Sequence, residues 1–358
     1  MSERKIARIA YVLVAVILVV TVILLVTEPE APAIPAETES TKQTVINRQE
    51  KTVGVCLPDG GDAWADTGSR VKANLEETGY QVLLVSGDGT TQTQINLLLS
   101  LLDKNVACII TTPVDSAALR EVSEAALQKN IPIISYGALW MDTAAVRGYI
   151  CYDYYEMGAA AARRGVEELD IANAEREKRF HTVELFMGAP EDYNAKMFYD
   201  GVMSQLQPWV DKGVLKFGSG RSAFEDCCVA GWAEDTAAKL CAARLKKYKK
   251  NKFPDLCICA SDGIAAGVIG GFRTMQVPEG SWPLITGNGA TEEGLQNLSA
   301  GLQILTVSTD PAAPAGVCGA MVDLAIYEIL PSFPLKSVNN NVTQVLTAVC
   351  GFTLVDKE

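Results

Sequence analysis

From Thr52 onward, short apolar runs rich in β-branched residues alternate with longer segments whose apolar positions recur every three or four residues. The short runs predict buried strands at Thr52–Leu57, Gln81–Ser86, Ala107–Thr111 and Pro132–Tyr136. The longer ones predict helices over Ala65–Thr78, stopping at Gly79, and over Thr91–Lys104 and Ser116–Lys129. The same rhythm then restarts, with strands at Arg147–Tyr152, Val183–Met187, Leu256–Ala260, Leu284–Gly287 and Ile304–Val307, and helices over Tyr155–Leu169 and Ile264–Arg273. Strands spaced by about one helix form βαβ units, which build parallel sheets covered on both faces. Two such series imply an α/β fold of two doubly wound lobes. Ligands of these sheets bind beyond the carboxyl ends of the strands, so a cleft shared by two facing sheets is the expected site.

The first thirty residues break this pattern. Arg4, Lys5 and Arg8 precede an uninterrupted apolar run from Ile9 to Val26, and Glu28 and Glu30 follow it. That polarity predicts an inside N-terminus and export of the rest. The run exceeds the usual cleaved signal and approaches the ~20 residues that span a bilayer. The expectation is an uncleaved N-terminal transmembrane helix over residues 1–27, with cleavage near Ala31-Pro32-Ala33 as the alternative. Thr27 to Glu50 is rich in Pro, Glu and Thr and reads as a solvated tether, with 28–50 as the linker.

Composition removes several functions. The 358 residues carry 31 basic and 43 acidic side chains, a net charge of −12 that argues against nucleic acid as a partner. There is no GxGxxG after the first strand and no GxxxxGK[ST], so no dinucleotide or P-loop cofactor is expected. Ten cysteines in an exported chain normally suggest disulfides. Here Cys56, Cys108, Cys257 and Cys259 sit inside apolar strands, where cysteine behaves as a small hydrophobe, and adjacent Cys227-Cys228 cannot bridge without strain. No CxxC occurs and His181 is the sole histidine, within a charged stretch that reads as surface, so neither a zinc site nor an acid–base catalyst is expected.

The segment Val183-Glu-Leu-Phe-Met-Gly-Ala-Pro-Glu-Asp-Tyr-Asn-Ala-Lys-Met-Phe-Tyr-Asp-Gly201, continuing through Pro208 and Gly220, resembles the type I periplasmic binding proteins for monosaccharides, in particular the multiple-sugar and xylose-binding branch. Trp64 after the first strand, the Gln92–Asn96 region, Asp115, Trp232, the Asp262-Gly263 turn and Thr286-Gly287 also match. The likeness runs from about Thr52 to the C-terminus. It implies a periplasmic binding protein-like fold whose lobes are joined by a three-strand hinge, with crossings near Gly137-Ala138, near Ser308-Thr309 and in the last fifty residues. Lobe 1 is then 51–137 and 309–344. Lobe 2 is 138–308 and 345–358, closed by a terminal strand over Val345–Val355.

The resemblance implies a non-catalytic receptor, monomeric, that closes on a small sugar-like molecule. Sugars present apolar C–H faces and a rim of hydroxyls, which call for stacking rings and planar polar groups. Trp64 is the expected stacking ring and Trp140 a second wall; Asn194 is the leading polar group. Asp262 can accept two hydroxyls, or else cap the following helix. Asp115 has the same two readings. Asp153, Tyr193, Asn288 and Thr309 complete the candidate set.

Several charged positions of that branch are absent. Ala63 replaces an Arg, Gly137-Ala138 an Asp-Arg pair, Gly289 an Asp and Thr309 a Lys. Such groups make charge-assisted hydrogen bonds of ~1.5–3 kcal/mol each, so a less polar, modified or weakly bound sugar is expected. The partner is an ABC permease or, alternatively, a receptor histidine kinase. A repressor of the same core fold would need a DNA-binding N-terminus, where this chain is apolar. A glycosidase would need two carboxylates facing across the cleft, where Asp115 and Asp262 could meet by geometry.

Overall fold

Among the described residues, thirteen strands assemble into two sheets. The computed structural model describes residues 46–249 and 252–356, and both sheets belong to the unit that begins at Asn47. The apolar run Ile9–Val26, read above as a membrane anchor, lies outside the described residues. Among the described residues no helix is long and apolar enough to cross a membrane.

The first sheet holds β1 (Thr52–Leu57), β2 (Gln81–Ser86), β3 (Cys108–Thr111), β4 (Ile133–Tyr136), β5 (Val146–Tyr152), β11 (Lys336–Asn339) and β12 (Gln344–Cys350) in the order β11-β12-β5-β4-β3-β1-β2. The second holds β6 (His181–Phe186), β7 (Leu215–Phe217), β8 (Leu256–Cys259), β9 (Leu284–Thr286), β10 (Leu305–Ser308) and β13 (Thr353–Asp356) in the order β13-β10-β9-β8-β6-β7. All pairings are parallel except β11–β12 and β10–β13. Both faces of each sheet are buried, which is why the strands read as continuous apolar runs. Val53, Val55 and Leu57 pack on one face of the first sheet, while Cys56 and Ile109 face the other. In the second sheet Leu256 and Ile258 point one way, and Cys257 and Cys259 the other.

The crossing expected near Gly137-Ala138 is not there. β5 pairs parallel with β4, with a register shift at Ile133/Ile134, and so belongs to the first sheet. The connection between them carries Leu139 and Trp140 into the first-lobe core. Fully buried Asn340 fastens it, its Nδ2 donating to the Trp140 and Thr143 carbonyls at 3.2 and 2.7 Å. A strand's apolar run announces burial but not its neighbour, and that is what misplaced β5. The chain therefore leaves the first lobe after Tyr152, returns after Ser308 and leaves again after Cys350. The expected single terminal strand is two, β12 in the first sheet and β13 in the second, separated by Gly351-Phe352 at the hinge.

In the second lobe, helices Tyr154–Glu168 and Tyr193–Asp211 cross in close contact. A Cβ on Gly201 would overlap the Tyr155 carbonyl, so only glycine permits this approach. On the opposite face of the second sheet lies a buried ion cluster. Glu184 accepts from Arg244 Nη1 (2.9 Å), Ser219 N (2.7 Å), Ser219 Oγ (2.7 Å) and Tyr248 Oη (2.8 Å). Burial, then the charge of Glu184, pushes the Tyr248 phenol upward.

All ten cysteines fall within the described residues and all are free, nine of them buried. Burial pushes the thiols of Cys56, Cys151 and Cys241 up to about 12. Thiolate, the reactive form, is therefore scarce at neutral pH.

Candidate functional site

Because β1, β3, β4 and β5 run parallel, as do β6, β8, β9 and β10, their carboxyl ends gather loops from both lobes at one level beside the hinge. Trp64 stands there in the first turn of the helix Asp62–Thr78, half-buried and packed on the first-lobe core. Thr309, also half-buried, occupies the second crossing. Beside it, the Tyr152 hydroxyl donates to the Asp310 carbonyl at 3.0 Å. Burial raises the Tyr152 phenol while the Thr309 side chain opposes that shift. Tyr152 and Tyr154 meet edge to face, with ring centroids 6.4 Å apart.

Trp140 is not a cleft wall. It is 1% exposed, among the largest sealed side chains of the first lobe, and its backbone N–H donates to Ser135 Oγ at 3.0 Å. An apolar ring just past a strand end serves the core when the chain turns back along its own sheet.

Each of the three candidate aspartates accepts hydrogen bonds from the protein's own groups. Asp262 is fully buried: Oδ1 accepts from Thr306 Oγ1 (2.7 Å) and Gln303 Nε2 (3.1 Å), and Oδ2 from Thr291 N (2.9 Å) and Oγ1 (3.1 Å). It knits β8, β9 and β10 together and presents no oxygen to a ligand. Nor is it a helix cap, since Ser261 Oγ accepts from Ile264 N at 3.1 Å. Asp115 is exposed and accepts from the N–H groups of Ala117 and Ala118 at 2.9 and 3.2 Å, closing the turn before the helix Arg120–Gln128. Asp153 caps the helix Tyr154–Glu168 through Glu156 N (3.1 Å) and pairs with Lys336 Nζ (2.6 Å). A hollow of about 350 Å³ lies beside that pair, lined by Leu335, Val349 and Phe352. It flanks the hinge at the β11–β12 edge.

Asn194 and Tyr193 open the helix Tyr193–Asp211 of the second lobe, yet both reach the first. Asn194 Nδ2 donates to the Gly137 carbonyl at 2.7 Å, and its Oδ1 accepts from the Tyr149 hydroxyl at 2.9 Å. The Tyr193 ring packs against the first-lobe core. Asn288 sits past β9, half-buried, its Nδ2 donating to the Ala260 carbonyl at 3.2 Å and its own carbonyl accepting from Asp262 N.

Two further residues join this level. The Trp232 ring lies flat against Gly188, just past the end of β6, where any side chain at Gly188 would collide with it. Trp232 holds φ 55°, a strained conformation for a bulky residue, which marks a ring placed by need. Asp192 caps the helix through Asn194 N at 2.8 Å. Burial raises its carboxyl, offset by the N–H groups of Asn194 and Ala195 and by Trp232. The resemblance pointed to Trp232 without giving it a role; its legible signal was the small residue Gly188 opposite. His181 begins β6, at the end of the sheet away from these loops, with Nδ1 3.6 Å from Asp255.

Paired parallel sheets, three chain crossings and loops converging from both sides define the two-lobed architecture of a solute-binding protein. The periplasmic binding protein domain matches over residues 53–326, and the chain belongs to that family of extracytoplasmic solute-binding proteins. A multiple sugar-binding periplasmic protein of Azospirillum brasilense is 27% identical over 284 residues, covering 78% of this chain and 79% of that one. The D-xylose-binding periplasmic protein of Escherichia coli is 26% identical, covering 72% and 73%. Among solved structures, an ABC transporter solute-binding protein of Clostridium phytofermentans with bound β-D-glucose superposes with a TM-score of 0.76 at 29% identity, covering 86% of this chain and 94% of that one.

Proposed function

We propose that the chain captures a neutral monosaccharide, or a less polar derivative of one, between its lobes and presents it to the permease of an ABC transporter. One observation carries this reading. Half-buried rings stand at the strand ends of both lobes, Trp64 and Trp232, while the nearby carboxylates of Asp115, Asp153 and Asp262 already have donors within the protein. Flat apolar rings with neutral hydroxyl and amide groups, here Thr309 and Asn288, suit a molecule with C–H faces and a hydroxyl rim. The glucose-bound relative supports the same ligand class. Ala63, Gly137-Ala138 and Gly289, where the resembling branch carries charge, favour a ligand with fewer hydroxyls or a weaker grip on an ordinary aldose. Closure then shifts an open–closed equilibrium, and the closed form is what the permease reads. The apolar run Ile9–Val26 holds the receptor at the membrane.

Titration calorimetry with glucose, xylose, galactose and their deoxy derivatives tests this. Binding weaker than nanomolar for the plain sugars is expected, and Trp64→Ala or Trp232→Ala should weaken it by about tenfold or more, the stacking contribution plus lost apolar contact. Nanomolar binding of a plain aldose removes the less-polar refinement. No heat and no thermal shift with any neutral sugar sinks the reading.

A further inference from the structure

We propose that Asn194 is a latch between the lobes, which supplies part of the closure energy from the protein itself, rather than a group that binds the ligand. The side chain is anchored on the second lobe, in the first turn of Tyr193–Asp211, where Asp192 fixes the Asn194 N–H at 2.8 Å. Both ends of its amide are used on the first lobe: Nδ2 donates to the Gly137 carbonyl at the end of β4, and Oδ1 accepts from the Tyr149 hydroxyl of β5, whose single proton is shared with the Gly137 carbonyl 3.0 Å away. Tyr149 is 1% exposed, held by the core around it, so its hydroxyl is a fixed target. Burial keeps that phenol protonated, and hence a donor, throughout the working pH range. Asn194 itself is only 8% exposed. With both ends engaged, it has little left to offer a sugar hydroxyl. Tyr193 adds an apolar contact to the same junction.

These contacts join the two lobes in the conformation described, with no ligand taking part, and the latch requires that they part on opening. A latch of this kind stabilises the closed form in both ligand-free and liganded protein, so it slows entry and exit together, and it raises affinity to the extent that it enlarges the closed population of the ligand-free protein. For ligand traffic the proposal rests on the receptor reading above; for lobe closure it stands alone.

Spin labels on Lys72→Cys and Lys239→Cys, one exposed helix position in each lobe, report interlobe distance by pulsed electron resonance in a Cys228→Ser background, since Cys228 is the one native thiol that is not buried. In ligand-free protein, Asn194→Ala should shift the open–closed ratio by about tenfold toward open, the loss of two neutral hydrogen bonds. Tyr149→Phe, which keeps the ring and removes one bond, should shift it by about threefold in the same direction. Glucose association and dissociation should both quicken in Asn194→Ala. Unchanged ligand-free distances in both variants overturn the latch. So does Asn194→Ala that weakens glucose binding while leaving those distances alone, since Asn194 is then a ligand group. Should no sugar bind at all, the functional reading fails, and the ligand-free distances still decide the latch.

Discussion

The two lobes share a sheet architecture but fill their polar interiors differently. The second buries two carboxylates, Glu184 and Asp262, and gives each of them four donors. The first relies mainly on neutral groups. Gln94 bridges the Thr112 carbonyl and the Val114 N–H, Asn340 fastens the β4–β5 connection, and Thr111 Oγ1 donates to the Cys56 carbonyl. Its one buried carboxylate, Asp323, sits at the rim and accepts from Arg48 and from the Tyr80 hydroxyl. A charge at a strand end therefore says little about ligand until its own donors are counted. In this protein the buried carboxylates of the second lobe hold strands and helices in place.

That contrast is sharpest at Arg244. Replacing it with Met strands Glu184 in a dry interior, and should destabilise the fold by about 3–5 kcal/mol in urea unfolding. A loss below about 1 kcal/mol would mean the cluster is wetter than its burial implies. The first-lobe counterpart, Asn340→Ala, leaves two carbonyls without a donor and should lose about 2 kcal/mol, unfolding the β4–β5 connection first in hydrogen exchange. If Asn340→Ala equals Arg244→Met, the distinction between charged and neutral interiors fails. Smallest is Lys336→Met at the hinge. Its partner Asp153 also caps a helix and its own side chain is 62% exposed, so a change of at most about 1 kcal/mol is expected, shrinking further in salt.

Much of the fold was legible because its strands are buried on both faces. The runs at Thr52, Gln81, Ala107 and Pro132 show up as apolar blocks, and all are strands of the first sheet. β7 and β11 were missed: Leu215–Phe217 is three residues long, and Lys336–Asn339 is a polar edge strand with exposed positions. Neither carries an apolar block. The site was harder to read. Asp262 and Trp140 occupy positions that look outward along the chain, and only the return of Thr306, Gln303 and Asn340 from far downstream encloses them. Long-range pairing of this kind leaves no local periodicity. The helix expected from Ser116 begins instead at Arg120, because Asp115 first closes a turn.

The free thiols have a consequence for how the folded chain ages. With ten cysteines and no crosslink between them, cohesion rests on noncovalent contacts alone, and nine of the sulfurs are shielded only while their lobe stays shut to solvent. A brief excursion to the denatured form in air would expose them all at once, and the bridges then formed would join partners that the native architecture keeps apart. Such a molecule wears out through rare openings rather than by slow surface damage, and a reducing agent should lengthen its shelf life far more than it raises its melting point.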